Sequence, residues 1–277
     1  MRAWTTWVAH CNRQVDARPL RLVLTLLAVC VLGDLAHMAW SGALDAVVYE
    51  RAVGGVVLRG DPWYAFRGVA WAGPGLVITL AAASVCIATR QWTRAAIVVA
   101  LLAYSQLGHL CDPGDRGIDR LLRTALLVFL FSAVPADRER VAQWPATVLR
   151  GLLVLVYLQA GFAKVGHTAQ WWAMSGIPEL YTILADPLAG RLEPTTWWGL
   201  WWPFRVGGVA TLLVEISAPL ILTRWRGAWA LVAMWIHLGI AVTMHLGMFS
   251  YGMLAFYPLL FDRWWPGVTE PAGDGGQ

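Results

Sequence analysis

The stretch V-Y-L-Q-A-G-F-A-K-V-G-H-T-A-Q-W-W, from Val156 to Trp172, ends an apolar run on a cation and then turns polar and aromatic. Extended back to residue 147, the run approaches the roughly 20 apolar residues that a helix needs to cross a bilayer. Its terminal cation, Lys164, is the only lysine in the chain; every other residue among the 21 Lys and Arg is an arginine. A lysine at a helix end can snorkel to the headgroups, and arginine would do so equally well. Lysine alone can give up its proton when desolvated, which arginine effectively cannot. Two roles therefore stand open for Lys164: an interfacial anchor, or a general base.

The rest of the chain has the same character. Hydrophobic residues make up 58% of the 277 and charged ones 14%, departures from globular usage that indicate a polytopic membrane protein. Apolar runs at 20–40, 70–89, 94–110, 119–134, 147–165, 206–223, 227–247 and 249–262 predict an all-α transmembrane bundle of about eight spans, within a range of about seven to nine. The last is the shortest. The first is too long for a signal-peptide core and contains Asp34, so it reads as a retained span. Residues 1–19 form a cytoplasmic segment, 20–265 the transmembrane domain, and 266–277 a Gly/Pro-rich flexible tail.

Basic residues orient the set. The short segments Thr89–Arg94 and Thr223–Gly227 carry almost pure positive charge, placing them and the N-terminus on the cytoplasmic side. The intervening outer segments, 41–69 and 166–205, are long and rich in tryptophan: Trp63 beside Tyr64, then the pairs Trp171–Trp172, Trp197–Trp198 and Trp201–Trp202. They form either an aromatic belt at the headgroup layer or a vestibule for a flat, lipid-soluble ligand.

This topology puts most ionisable side chains in the outer half. Asp34 and His37 share a face of the first span; His109 ends the third span and Lys164 the fifth; Glu215 and His237 lie mid-span, with His245 above His237. Polar groups at such depths usually face a bundle interior or wet cavity, so together they predict a polar site open to the outside. Taken singly, each has a structural alternative in local capping, interfacial placement or satisfied packing. Other classes find little support. Cys11, Cys30, Cys86 and Cys111 form no C-x-x-C, the histidines lack ligand spacing, so no metal is expected, and no basic cluster suggests nucleic acid. No internal repeat favours a transporter.

At these residues the chain resembles the HTTM (horizontally transferred transmembrane) family, whose best-known members are the vitamin K-dependent γ-glutamyl carboxylases. The V-Y-L-Q-A-G-F-A-K stretch is similar to their V-Y-x-x-A-G-x-x-K, and G-M-F-S-Y-G-M-L-A-F-Y-P-L-L-F-D-R-W-W-P, Gly247 to Pro266, to a second carboxylase motif. The resemblance spans roughly residues 18–266. It implies that Lys164 deprotonates a hydroquinone and that His237 matches a carboxylase histidine. Two departures accompany it. The loop C-D-P-G-D-R-G-I-D-R-L-L offers Asp119 where eukaryotic carboxylases have an Asn-His pair, and Ile240 stands where they have an asparagine. The large lumenal domain that captures a glutamyl substrate has no counterpart before the chain stops.

The resulting expectation is a vitamin K-dependent carboxylase-like protein of the bacterial inner membrane, its site facing outside, that deprotonates and oxygenates a menaquinol- or vitamin K-like hydroquinone. Lys164 and His237 are the candidate catalytic residues. His245, Glu215, Trp171, Trp172, Asp119 and His37 are the candidates for holding the quinone. Expected partners are membrane lipid, a lipid-soluble quinone, and a separately encoded redox or peptide partner, with no nucleic acid. Carboxylation of protein glutamate is not expected. The alternative is a non-catalytic quinone- or lipid-binding subunit or redox scaffold, since DoxX-like membrane proteins also carry a Gly-x-x-Lys at a span end.

Overall fold

The computed structural model describes residues 2–44, 71–110, 117–136, 138–173, 175–186, 190, 191, 193, 199 and 201–261. The outer segment with Trp63 and Tyr64, the pair Trp197–Trp198, the C-D-P-G-D-R loop, the end of the second motif and the C-terminal tail fall outside the described residues. Within them the chain is helical: α1 (Arg2–Asn12), α2 (Arg18–Ser41), α3 (Ala72–Ala88), α4 (Thr93–Leu110), α5 (Gly117–Phe131), α6 (Trp144–His167), α7 (Glu179–Ala185), α8 (Trp202–Ile216), α9 (Arg226–Thr243) and α10 (Phe249–Leu254). Pro19, Pro145 and Pro203 sit in the first turns of α2, α6 and α8, where a missing N–H costs no helical bond and the fixed φ favours initiation.

Each expected span corresponds to a helix, but their lengths differ. Three are long and apolar enough to cross a membrane, α2, α6 and α9, and α3 is a shorter apolar helix. The expected run 206–223 is a helix that stops at Ile216, followed by a separate 3-10 turn, Ala218–Leu222. The run 249–262 contains the six-residue α10 and the turn Tyr257–Leu259. At 1.5 Å per residue α10 is only about 9 Å long. Its apolarity instead reflects burial within the bundle, where Phe256, Leu259 and Leu260 are inaccessible.

One two-stranded pairing, β1 (Gln14–Asp16) with β2 (Arg140–Ala142), joins the segments that lead into α2 and α6. Both helices therefore start close together. Arg21 donates to the Arg138 carbonyl, and Arg94 at the start of α4 donates to the Ser132 carbonyl just past α5 (3.1 Å). The starts of α2, α4 and α6 and the end of α5 thus share one face, as alternating passes require. That face carries the exposed arginines 13, 90, 94, 138 and 140.

A continuous apolar core runs through α2–α6, the Ala218–Leu222 turn, α9 and residues 253–260. The outside is apolar as well: Ile78, Leu102, Phe131, Leu155, Phe162, Leu213, Trp235 and Val242 are all exposed. Such a surface suits lipid rather than water. A smaller cluster, Tyr181, Leu184 and Phe204, packs α7 onto α8 at the far end. There Arg205 donates to the carbonyls of Ala173 (2.6 Å), Ser175 (3.3 Å) and Gly176, fixing the loop that follows α6.

Arg150, placed by its sequence position near the inner end of α6, is buried. Its Nε and Nη2 donate to the Leu259 carbonyl at 3.1 and 2.7 Å, tying α6 to the C-terminal motif. Replacing it by methionine preserves much of the packing volume but leaves that carbonyl without this donor, a loss of about 1–3 kcal/mol. Arg150→Met should accordingly lower the thermal midpoint in detergent, whereas the exposed Arg90→Gln should not; equal midpoints for the two variants would show that the bond carries no stability.

Candidate functional site

The site is built on one face of α6. Arg150, Tyr157 and Lys164 are each seven residues apart, two helical turns, and Gly161 lies between the last two. Seven residues return a helix nearly to the same direction, so these side chains form a polar stripe on a mostly apolar helix. Each group then has to find a partner on a neighbouring helix, because hydrocarbon offers none.

Lys164 finds Glu215. Its Nζ lies 2.5 Å from Glu215 Oε1, and the two side chains are 22% and 11% exposed. Gly161 makes this possible: a Cβ there would stand 3.1 Å from Glu215 Cβ and 3.2 Å from Ile216 Cγ1. Any larger residue would push the last turn of α8 away from α6. The Lys164 ammonium position also sits 5.2 Å from the centre of the Trp171 ring, within cation–π range. Trp171 is 7% exposed and Trp172 is 51% exposed, so the expected pair divides into one indole packed over the ion pair and one outside. The second carboxylate oxygen, Glu215 Oε2, is buried without a hydrogen-bond partner among the described residues.

His237 forms a second cluster about two turns deeper. Its Nε2 is 2.5 Å from the Tyr157 hydroxyl, which is 3.1 Å from the Tyr257 hydroxyl. Phe249 lies against the imidazole, and Trp229 packs edge-on against Tyr157 with ring centres 4.9 Å apart. Trp229 Nε1 in turn donates to the Val214 carbonyl at 3.1 Å, next to Glu215. His237 Nδ1 has no partner among the described residues. The two clusters share α6 as their wall, since Tyr157 belongs to one and Lys164 to the other, about 10 Å apart along the axis.

The remaining sequence candidates lie elsewhere. Asp34 is buried while His37, three residues on, is exposed; the boundary of the buried face of α2 runs between them. His245 was expected above His237 on one helix, but α9 ends at Thr243, where Met244 turns extended and bridges to Gly190. His245 therefore hangs beyond the helix and is exposed, its Nδ1 accepting from Arg191 Nε at 3.3 Å. Asp119 is buried in the first turn of α5, where its Oδ1 accepts from the Tyr104 hydroxyl at 2.6 Å. Among the described residues no group of three or more His, Cys, Asp or Glu is arranged to hold a metal ion. Sequence reasoning missed Tyr157, Tyr257 and buried Arg150, although the seven-residue spacing through Lys164 carried the signal for Tyr157 and Arg150.

Comparison with known proteins bears on this geometry. No curated protein and no solved structure matches the chain. The family model for the HTTM domain matches residues 131–265, less than the resemblance of the motifs suggested. That stretch includes all of α6, α8, α9 and α10, hence both the Lys164–Glu215–Trp171 and the Tyr157–His237–Tyr257 clusters. Asp34, His37 and Asp119 precede it. Residues 131–265, where both clusters lie, are thus similar to the HTTM domain.

Proposed function

We propose that the chain is a multi-pass enzyme of the bacterial inner membrane that deprotonates a membrane hydroquinone at Lys164 and lets the resulting anion react with dioxygen. The observation that carries this proposal is the part-buried Lys164–Glu215 contact of 2.5 Å beside the Trp171 ring. A buried ion pair recovers its desolvation cost only with good geometry, and intramembrane ionisable pairs mark functional sites by default. A general base at this position has to present an amine, which lysine can offer in neutral form. Arginine would hold its proton permanently.

The site residues suit a hydroquinone. Trp171 offers a flat apolar wall, and the unpartnered Glu215 Oε2 offers an acceptor to a phenolic hydroxyl. In the proposed step a hydroquinone O–H proton moves to the Lys164 amine, giving the ammonium and the hydroquinone anion. Overall, hydroquinone and dioxygen would yield the quinone epoxide and water. His237, positioned by Tyr157, would steady developing charge. The orientation, N-terminus inside and site outside, rests on the exposed arginines at the start of α2 and α6, because Lys164 lies about 30 Å along α6 from Trp144. Carbon dioxide transfer to protein glutamate is not part of the proposal.

The competing function is non-catalytic quinone or lipid binding, alone or with a redox partner. It is favoured by the same contact, because a carboxylate beside Lys164 also stabilises the ammonium. Turnover separates the two. In proteoliposomes supplied with menaquinol, the wild type should consume dioxygen and form epoxide detectable by mass spectrometry. Lys164→Arg should retain the pairing with Glu215 and the copurifying quinone but lose at least about a hundredfold in rate, the usual scale of a general base. A fully active Lys164→Arg protein would eliminate the base role, and quinone that copurifies with wild type without any turnover would select the binding function.

Geometry supplies a further check. Gly161→Leu should force α8 outward, weaken the Lys164–Glu215 contact and reduce quinone retention, at a stability cost of about 1–3 kcal/mol. Gly151, which has open space at its Cβ position, serves as the control. If Gly161→Leu and Gly151→Leu retain quinone equally, the close α6–α8 approach does not form the site.

A further inference from the structure

Among the described residues, helix α1 has little protein to pack against. Residues 4–10 are all exposed, and the helix is anchored at its C-terminal end, where the His10 ring lies 2.9 Å from Gln143 Nε2 and the Gln143 N–H donates to the Arg13 carbonyl at 2.9 Å. An isolated helix of 11 residues is marginal in water. Its sequence is nevertheless two-sided. Trp4, Trp7, Val8 and Cys11, at i, i+3, i+4 and i+7, fall within an arc of about 100°. Trp4 is 68% exposed and Trp7 48%. Thr5 and Thr6 lie outside that arc, and the His10 ring borders it, stacked on Trp7 with ring centres 6.3 Å apart.

The location of this face is set by the strand pair. β1 and β2 hold α1 at the level where α2 and α6 begin, that is, where two of the membrane-crossing helices enter the bilayer. The surroundings are cationic. Arg13, Arg138 and Arg140 are exposed. Arg2–Arg21 together with Asp137–Arg140 contain six arginines against the three acids Asp16, Asp137 and Glu139. The Asp16 carboxylate is itself taken up by Arg18, at 2.6 Å. An apolar stripe of tryptophans flanked by exposed guanidinium groups is the pattern of a helix lying in an anionic interface. A protein partner or a second copy would meet the same apolar stripe, but the excess positive charge at membrane level selects a phosphate-bearing lipid surface.

We infer that α1 and the β1–β2 strand pair form a binding surface for anionic phospholipid on the same side of the membrane as the starts of α2 and α6. Trp4, Trp7 and Val8 insert at the headgroup–acyl boundary, and Arg13, Arg138 and Arg140 engage lipid phosphates. This surface lies at the opposite end of α6 from Lys164 and is independent of the hydroquinone chemistry.

The test uses the full chain with its native cysteines replaced and a nitroxide attached at Val8→Cys. The labelled protein is reconstituted in vesicles of phosphatidylcholine alone or of phosphatidylcholine mixed with phosphatidylglycerol. Relaxation by dissolved oxygen and by a water-soluble nickel chelate reports the depth of the label. With phosphatidylglycerol present, oxygen should dominate, placing the label below the phosphates. In phosphatidylcholine alone, or with Arg13, Arg138 and Arg140 all changed to Gln, access to nickel should rise several-fold. Adding salt should move the wild type the same way. Nickel access that is high in both lipid mixtures would overturn the inference. So would lipid contact indifferent to phosphatidylglycerol, which would remove the anionic headgroup from the account. Shielding from both reagents would mean that protein, in a second copy or a partner, covers the face, and would overturn it too.

Discussion

The structure turns on a constraint imposed by hydrocarbon: polar groups along one face of α6 have to be satisfied by protein. Arg150 reaches the Leu259 carbonyl, Tyr157 reaches His237 and Tyr257, and Lys164 reaches Glu215. These contacts bring three separate parts of the chain, the end of α8, the middle of α9 and the C-terminal motif, onto the same helix. Van der Waals packing alone would discriminate weakly among apolar faces, because lipid tails compete for them. The polar stripe fixes which faces meet and at what register, and in doing so it assembles two clusters of ionisable and aromatic side chains about two turns apart.

Much of this organisation was legible in the sequence. Apolar runs located α2–α6 and α8–α10 because burial and lipid exposure select the same residue types, whereas α1 and α7 lie outside every run. Lys164 was recognisable as unusual from composition alone, and its partner Glu215 was among the candidates because a mid-span carboxylate has few tolerable environments. Lengths were less legible. The run 249–262 is apolar for the reason a core segment is apolar, so hydropathy could not separate a crossing helix from α10 and its turn buried in the bundle.

Other features required three dimensions. His37 and His245 share depth with the site in a linear projection, yet the first lies just past the buried edge of α2, and the second follows a helix end set by the Met244–Gly190 bridge. Depth is encoded by position in a span, whereas facing depends on which neighbour a helix meets. Tyr157 illustrates the converse: its seven-residue spacing from Lys164 marks a shared face, but its role is visible only once His237 and Tyr257 are placed beside it. Helix α1 was invisible for a related reason, because its short amphipathic pattern gains meaning only once the β1–β2 pairing sets its level relative to α2 and α6.

The lone lysine offers the most direct measurement of the central claim, that Lys164 is held in a buried pair with Glu215. Lysine labelled with nitrogen-15 at the side chain introduces one labelled Nζ into the whole chain. In lipid nanodiscs, the account requires a single slowly exchanging resonance that shifts on Glu215→Gln and shifts again on adding menaquinol. A rapidly exchanging resonance at the position of a solvated lysine, unmoved by Glu215→Gln, would contradict it.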